Sequence, residues 1–451
     1  MRVHFIAIGG AAMHNLALAL HEKGDAVSGS DDEIFDPSKS RLAAAGLLPA
    51  AFGWFPEKIT PELDAVILGM HAKKDNPELL KAESLGLSIY SYPEFLFEQA
   101  KLKSRVVIGG SHGKTTITSM ILHVLNYNDR EVDYMVGAQL EGFTTMVKLT
   151  PEADFMVLEG DEYLSSPIDR RPKFHLYKPN IALLSGIAWD HINVFPTFEN
   201  YVLQFELFLD QIVPGGAIIY NQEDPVVKRI VEACERPIKK YPYSTPKYSV
   251  AQGQTLLDTP EGAMPIAVFG AHNLSNLEGA RWICQLMGVD AQEFYEAIAT
   301  FKGASKRLEL VAQGATSLAY KDFAHSPSKV KATTTAFKNQ YPERPLLACF
   351  ELHTYSSLTP EFLTEYQGAL DAADQAVVFY SPHAVEIKKL APISEAQIAQ
   401  AFKRDDLIIY TDPGQFQEFL FAQEFNAKNL LLMSSGNYGG LDFEALKARF
   451  A

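Results

Sequence analysis

Eight residues between positions 109 and 116 have the composition of a phosphate-binding loop, Gly109-Gly110-Ser111-His112-Gly113-Lys114-Thr115-Thr116. The run follows a β-branched apolar stretch and precedes an apolar helical one, so N–H groups at the helix start would point at phosphate oxygens. Lys114 would reach the β- and γ-phosphates of a nucleotide, and the Thr115 hydroxyl could hold Mg²⁺. The Walker pattern requires glycine at position 108, where isoleucine stands, so this loop is shorter. The alternative is an ordinary glycine turn with a surface lysine.

Two later apolar runs end in residues that could serve the same site. Phe155–Leu158 is followed by Glu159-Gly160-Asp161-Glu162, and Ile181–Leu184 is followed within seven residues by His191. Carboxylates this close repel one another unless a cation lies among them, and Mg²⁺ takes oxygen ligands. Because parallel strands end at one edge of a sheet, His191 could approach the same place. The alternatives are a solvated acidic turn and a structural histidine.

A second glycine turn lies near the start of the chain. Gly9 and Gly10 follow an apolar run, Met13 opens a helical pattern, and Ser30-Asp31 ends a run about twenty residues later. This spacing is typical of a nucleotide-binding βαβ unit. Alanine and methionine stand at positions 12 and 13, where a dinucleotide fold prefers glycine, and the turn is compatible with a nucleotide diphosphate other than NAD. The alternative is a tight turn with nothing bound.

Helices and strands along the whole chain must position these residues. Short apolar runs alternate with amphipathic stretches, a pattern typical of α/β domains with parallel sheets. Three series of strands are predicted, at Val3–Ile8, Ala26–Gly29 and Ala65–Leu68; at Arg105–Ile108, Phe155–Leu158, Ile181–Leu184 and Ala217–Tyr220; and at Leu346–Phe350, Ala376–Tyr380, Leu407–Tyr410 and Leu430–Met433. We therefore predict three domains, at residues 1–100, 101–303 and 304–451, which agrees with a length of 451 residues.

Composition excludes several classes of protein. Hydrophobic residues make up 47% of the chain and charged residues 21%, which excludes a disordered protein. A formal charge of −15 argues against a nucleic-acid or anionic-membrane binder. Three isolated cysteines predict reduced thiols in the cytoplasm. The first residues read as a strand and no apolar run approaches 18 residues, so we expect no signal peptide and no membrane insertion.

Taken together, the order of these motifs resembles the Mur ligases, ATP-dependent amino-acid or peptide ligases of peptidoglycan synthesis. The resemblance implies a Rossmann-like N-terminal domain, a central P-loop ATPase domain and a Rossmann-like C-terminal domain. It implies an ATP site formed by Gly110, Ser111, His112, Gly113, Lys114, Thr115, Thr116, His272, Asn273, Asn276, Arg307 and Asp322. It implies magnesium ligands at Thr115, Glu159 and His191, and a catalytic set of Lys114, Glu159, His191 and His325. Ser326 replaces the second of two adjacent histidines found in muramate-linked members.

The resemblance also implies the substrates. Gly9, Gly10, Met13, Ser30 and Asp31 are similar to residues of members that accept UDP-N-acetylmuramate. ATP would convert the lactyl carboxylate of that sugar into an acyl phosphate, which an amine then attacks. The segments Glu159–Tyr163, Asp169–Phe174 and Met433–Gly440 favour the tripeptide L-Ala-γ-D-Glu-meso-diaminopimelate as the amine, and L-alanine is the alternative. The segment Glu351–Ser356 lacks the arginine expected on the acceptor side. Other classes are a non-catalytic nucleotide-binding protein and a small-molecule kinase.

Overall fold

A computed structural model describes residues 1–140, 142–304 and 307–450, and it begins with a parallel four-stranded sheet. The strand order is β2-β1-β3-β4. Its elements are β1 (Arg2–Ile6), α1 (Ala11–Glu22), β2 (Ala26–Ser30), α2 (Ser38–Ala44), β3 (Ala65–Leu68), α3 (Pro77–Ser84), β4 (Ile89–Ser91) and α4 (Tyr92–Ala100). The strand predicted at Val3–Ile8 ends at Ile6, because Ala7 adopts a left-handed φ of 69° and turns the chain toward α1.

A seven-stranded sheet follows, in the order β11-β10-β9-β5-β8-β6-β7. Its elements are β5 (Ser104–Gly109), α5 (Lys114–Tyr127), β6 (Asp133–Met135), β7 (Val147–Lys148), β8 (Phe155–Gly160), β9 (Ile181–Leu184), α6 (Phe198–Gln211), β10 (Ala217–Asn221), α7 (Pro225–Ala233) and β11 (Lys239–Tyr243). All neighbouring strands pair in parallel except β6 with β7. Strand β5 therefore lies between β8 and β9, so the loop after it borders the ends of both.

A small antiparallel sheet separates the two larger parallel ones along the chain. It contains β12 (Tyr248–Ala251), β13 (Gln254–Thr259) and β14 (Gly262–Ile266), and α8 (Ala271–Leu286) and α9 (Ala291–Ile298) follow it. All four residues of β12 are exposed, so this strand lacks the alternating apolar pattern on which a sequence-based prediction depends.

The last sheet has six strands in the order β15-β16-β20-β17-β18-β19. Its elements are β15 (Glu309–Gln313), β16 (Leu318–Asp322), α10 (Pro327–Gln340), β17 (Leu346–Leu352), α11 (Pro360–Leu363), β18 (Gln375–Tyr380), α12 (Pro382–Ile387), α13 (Glu395–Phe402), β19 (Ile408–Tyr410), α14 (Pro413–Phe421), β20 (Asn429–Met433) and α15 (Phe443–Lys447). All pairs are parallel except β15 with β16. Every residue of β17 is buried, as expected for a strand covered on both faces.

The predicted α/β class with mostly parallel sheets is confirmed, and the predicted strands form with small shifts at their ends. By its internal contacts the chain divides into two compact units. The first unit contains Met1–Ile187, Val202–Tyr243 and Gly279–Ala291, and the second contains Ala188–Tyr201, Ser244–Glu278 and the chain from Gln292 onward. The domain limits near residues 100 and 304 stay a prediction. Within the described ranges, no helix is long and apolar enough to cross a membrane.

Candidate active site

The predicted phosphate loop lies between β5 and α5. Gly110 has a φ of 131° and Gly113 a φ of 81°, values that favour glycine. A Cβ atom at Gly110 would lie only 2.2 Å from the Ser185 hydroxyl oxygen, so the loop also needs glycine there for space. The Ser111 N–H donates to the Gly186 carbonyl at 2.9 Å, which fixes the loop to the end of β9. The backbone from Gly110 to Thr116 therefore opens a helix in the way that anion binding requires.

Lys114, at the first position of α5, is held over this loop. Its ammonium donates to the Gly110 carbonyl at 2.6 Å and to Glu162 Oε2, also at 2.6 Å. Burial alone lowers the pKa of Lys114, but the negative charges of Glu162 and Asp161 outweigh burial and raise it. Lys114 is therefore positively charged at neutral pH, as contact with a phosphate requires. Its partner Glu162 belongs to the acidic run, but no local pattern in the sequence predicts their pairing.

Thr115 and Glu159 meet beside the lysine. The parallel register of β5 and β8 sets Glu159 opposite Ile108, close to the start of α5. The Thr115 hydroxyl donates to Glu159 Oε1 at 2.7 Å, and the Gly137 N–H donates to Oε2 at 2.9 Å. Both side chains are buried. A carboxylate and a hydroxyl at this separation are oxygen donors of the kind Mg²⁺ takes, so these residues fit such an ion.

Two carboxylates of the acidic run at the end of β8 have lysine partners within the protein. Lys114 faces Glu162, and Lys173 contacts Asp161 at 2.5 Å. Asp161 and Glu162 thus each contact a lysine, whereas the metal ligands expected from the resemblance are Thr115, Glu159 and His191. Glu159 is the carboxylate of the run that remains next to the Thr115 hydroxyl. Among the described residues, no group of three or more His, Cys, Asp or Glu side chains is arranged to hold a metal.

The N-terminal glycine turn is also built around a carboxylate. The Gly9 N–H donates to Asp31 Oδ2 at 2.7 Å, and a Cβ atom at Gly9 would lie 2.8 Å from Ile34. Burial, with a contribution from neighbouring Asp32, raises the pKa of Asp31. Gly10 caps α1 and the Met13 side chain is buried behind the turn. Ser30 accepts a hydrogen bond from Lys58 at 3.1 Å, which places a cation at this strand end.

In the second unit, His325 and Asp190 form a partly buried polar cluster with Lys329. Asp190 Oδ2 lies 3.9 Å from His325 Nε2 and 3.6 Å from Lys329 Nζ. Burial lowers the pKa of His325 to about 3, and the charge of Lys329 acts in the same direction. Burial would raise the pKa of Asp190, but Lys329 and the neighbouring groups around it together outweigh burial, and the pKa falls to about 2. His325 is therefore neutral, and its contact with the Phe323 carbonyl at 2.8 Å favours a proton on Nδ1.

The residues predicted for the adenine and ribose side also lie in the second unit. Asn273 and Asn276 are buried in α8, and burial lowers the pKa of His272, which feels the charge of Asp322. Asp322 accepts from the Leu308 and Ala324 N–H groups, both at 2.7 Å. The first of these bonds holds the Asp322 carboxylate against Leu308, the residue that follows Arg307. The Arg307 guanidinium lies 5.0 Å from the centre of the Phe323 ring.

The predicted site residues thus fall into local groups. Lys114, Thr115 and Glu159 come together in the first unit. His191 lies in the second unit, where its N–H donates to Asp190 at 2.8 Å. Sequence reasoning missed Asp190 and Lys329 as partners of His325. The sequence offered a signal, since Asp190 directly precedes His191 and Lys329 lies four residues after His325, in the first turn of α10.

Comparison with known proteins gives consistent matches over the whole chain. Residues 2–104 match the catalytic domain of the Mur ligase family, and residues 108–284 match the Mur ligase middle domain. A UDP-N-acetylmuramate–L-alanine ligase of Lactiplantibacillus plantarum is 30% identical over 427 residues, covering 91% of each chain.

Solved structures match as well. The UDP-N-acetylmuramate:L-alanyl-γ-D-glutamyl-meso-diaminopimelate ligase of Neisseria meningitides is 27% identical, with a TM-score of 0.58 over 67% of this chain and 98% of that one. The UDP-N-acetylmuramate–alanine ligase of Thermotoga maritima is 18% identical and has a TM-score of 0.70, covering 100% of this chain and 98% of the other. The latter likeness supports the fold alone.

Proposed function

The chain belongs to the Mur ligase family of ATP-dependent, amide-bond-forming ligases, and from that premise we propose that it joins UDP-N-acetylmuramate to an amine. The observation that carries the proposal is the arrangement of Lys114, Thr115 and Glu159 at the phosphate loop. A charged lysine, a hydroxyl and a carboxylate at a helix start are the groups that transfer of a γ-phosphoryl group requires. The expectation of a Mur ligase is therefore confirmed.

The first step activates the acid. A carboxylate oxygen of the sugar attacks the γ-phosphorus, the bond to the β-phosphate oxygen breaks, and ADP leaves as the acyl phosphate forms. Lys114 and the N–H groups of the loop would hold the phosphates in line and offset the charge that develops on them. Thr115 and Glu159 would hold Mg²⁺, which would supply further charge neutralisation when bound, and His191 as a further ligand stays a prediction.

The second step forms the amide. The amine attacks the carbonyl carbon of the acyl phosphate, and phosphate leaves from the tetrahedral intermediate. The turn at Gly9 and Asp31 would hold the UDP part of the sugar, while Arg307 and Asp322 would contact ATP. His325 is partly buried and neutral, and a role for it in orienting the acyl phosphate or moving a proton stays a prediction.

Two amines compete as the acceptor. L-Alanine has the wider support, because relatives named for it match at 30% identity over 91% of the chain. The tripeptide has a separate observation in its favour, the 27% identity with the Neisseria ligase over 67% of the chain. Our sequence-based preference for the tripeptide is thus the less widely supported of the two related activities.

The test measures phosphate released from ATP with UDP-N-acetylmuramate present and either L-alanine, the tripeptide or no amine added. Release that depends on one amine, with the corresponding amide formed, supports the ligase and identifies the acceptor. A phosphorylated sugar with no amide formed would instead support a kinase. The Lys114→Ala variant should lose roughly 10²-fold or more of its turnover, since it removes a preorganised charge. Near-normal turnover in that variant would refute the assignment of the phosphate loop.

A further inference from the structure

The loop that joins β6 to β7, described at residues 136–140 and 142–146, connects two parts of the first unit. At its start, the Gly137 N–H donates to Glu159 Oε2 at 2.9 Å, and a Cβ atom at Gly137 would lie only 3.3 Å from Oε1 of the same carboxylate. At its end, residues 144–146 are bonded to side chains of α1 and α2. The loop therefore has the carboxylate assigned to Mg²⁺ at one end and the helices after the N-terminal glycine turn at the other.

Asn15 of α1 holds the end of this loop through its side-chain amide. Asn15 Oδ1 accepts a hydrogen bond from the Met146 N–H at 3.0 Å, and Asn15 Nδ2 donates to the Ala11 carbonyl at 2.8 Å. Asn15 and Met146 are both buried, so removing the amide would leave the Met146 N–H as a buried donor without this acceptor. Asn15 is thus a specific partner of the loop backbone.

Arg41 of α2 holds the same end of the loop from a second helix. Its Nη2 donates to the Thr144 carbonyl, and its Nη1 lies 3.1 Å from Nε2 of His14. Burial lowers the pKa of His14, so the ring is neutral at pH 7 and can accept the Arg41 N–H. His14 Nδ1 in turn lies 3.0 Å from the carbonyl of Gly10, the residue that caps α1. The guanidinium therefore links the loop to the glycine turn assigned to UDP.

A short series of hydrogen bonds runs from the end of the loop back to its start. The Met146 carbonyl accepts from the Val136 N–H at 2.9 Å, and Val136 directly precedes Gly137. The Gly137 N–H occupies Oε2 of Glu159, whereas Oε1 faces the Thr115 hydroxyl at 2.7 Å. The loop thus determines which oxygen of Glu159 lies beside Thr115, and a shift of Met146 would be passed to that carboxylate.

We propose that Asn15 and Arg41 are positioning residues for Glu159, which they orient toward the magnesium site through the loop between β6 and β7. This inference rests on the proposed function. Mg²⁺ demands near-ideal octahedral geometry, so a carboxylate that is free to rotate binds it less well. Residues that orient a metal ligand typically contribute about 10- to 100-fold to metal affinity or activity. Because Arg41 also reaches Gly10 through His14, the sugar-nucleotide turn and the magnesium site share one support.

Calorimetric titration with ADP, with and without Mg²⁺, separates this role from a general loss of structure. The ratio of the two dissociation constants measures how much the metal contributes to binding. We expect Asn15→Ala to reduce this contribution roughly 10-fold, the lower end of the usual range, because Asn15 acts on Glu159 through the loop. Arg41→Met should reduce it in the same direction. The affinity for ADP without Mg²⁺ should stay at the wild-type value, since Lys114 and the phosphate loop are unchanged. In the phosphate-release assay, the half-saturating concentration of Mg²⁺ should rise by the same factor, and saturating Mg²⁺ should restore turnover.

The matched controls replace exposed residues of the same types. Asn126→Ala, near the end of α5, and Arg229→Met, in α7, should keep the wild-type ratio. Thermal melting checks that each variant is folded, and Arg41, which is only partly buried, keeps the test open if Asn15→Ala does not fold.

Two outcomes would overturn the positioning of Glu159: a wild-type ratio in Asn15→Ala and Arg41→Met, or equal losses of ADP affinity with and without Mg²⁺. A ratio near one in the wild type would overturn the magnesium assignment of Thr115 and Glu159, and this inference with it. Failure of the wild type to bind ADP, or to release phosphate with the sugar nucleotide and an amine, would instead overturn the proposed function.

Discussion

The pair of Lys114 and Glu162 predicts an asymmetric loss of stability. Their side chains are 14% and 1% exposed and their charged atoms lie 2.6 Å apart. Removing one partner of a buried pair costs about 3–5 kcal/mol, because the other charge stays buried without compensation. Lys114→Met should reach that range, since Glu162 would be left beside Asp161 and Glu159. Glu162→Gln should cost less, because Lys114 keeps the Gly110 carbonyl and those two carboxylates.

The double variant completes a thermodynamic cycle. Lys114→Met with Glu162→Gln should be more stable than Lys114→Met alone, since no uncompensated carboxylate remains at position 162. The free energy of unfolding would be measured by urea denaturation without nucleotide, at pH 7. The exposed pair of Lys101 and Glu98, 2.8 Å apart, is the control and should contribute below about 1 kcal/mol. Effects at Lys114 and Glu162 that add to within about 0.5 kcal/mol would show that the two charges are not coupled and refute the reasoning.

Three further perturbations test other parts of the structure. Gly110→Ala should destabilise the protein and abolish ATP binding in calorimetry, because φ is 131° and the new methyl group would lie 2.2 Å from the Ser185 hydroxyl; unchanged ATP affinity would contradict this. Burial raises the pKa of Glu78, but hydrogen bonds from His4 and other groups together outweigh burial and lower that pKa below 4.5. The ionised Glu78 carboxylate therefore stabilises the folded protein above pH 4.5, and this stabilisation is lost as the pH falls through the lower pKa that Glu78 has in the folded state. The free energy of unfolding, measured as a function of pH, should therefore vary less with pH in Glu78→Gln than in the wild type. Identical pH dependence in the two proteins would contradict the lowered pKa of Glu78. Phe208→Ala, a fully buried side chain of α6, should lower the free energy of unfolding by about 3–5 kcal/mol in urea, and a loss below about 1 kcal/mol would show a loosely packed site.

The strands that carry the site were predictable from the sequence, because burial between layers determines both the apolar composition of a strand and its place in the sheet. Ile181–Leu184 and Leu430–Met433 are continuous apolar runs, and each is buried between layers in the structure. The phosphate loop was predictable for a different reason, since Gly110 and Gly113 are required by local backbone geometry. The observed boundaries of the predicted strands differ from the predicted boundaries by at most two residues at either end.

The features that sequence reasoning missed depend on contacts between distant residues. Strand β12 is exposed along its length, so no apolar periodicity indicated it. Glu162 lies 48 residues from its partner Lys114, and Lys173 lies 12 residues from its partner Asp161. A run of acidic residues in the sequence does not indicate which lysine contacts it in the fold. Glu351 at the end of β17 shows the same limit, because Tyr438, whose N–H donates to its carboxylate, lies 87 residues later.

The contact between Lys114 and Glu162 also bears on which cellular anions can occupy the loop. Lys114 of this acidic chain, whose formal charge is −15, is paired with Glu162, so a phosphate that binds at the proposed loop must compete with that carboxylate for the ammonium. Orthophosphate makes that exchange with one phosphoryl group, whereas a nucleoside triphosphate also gains contacts along the loop. We therefore expect the ion pair to weaken the binding of orthophosphate more than the binding of a nucleoside triphosphate.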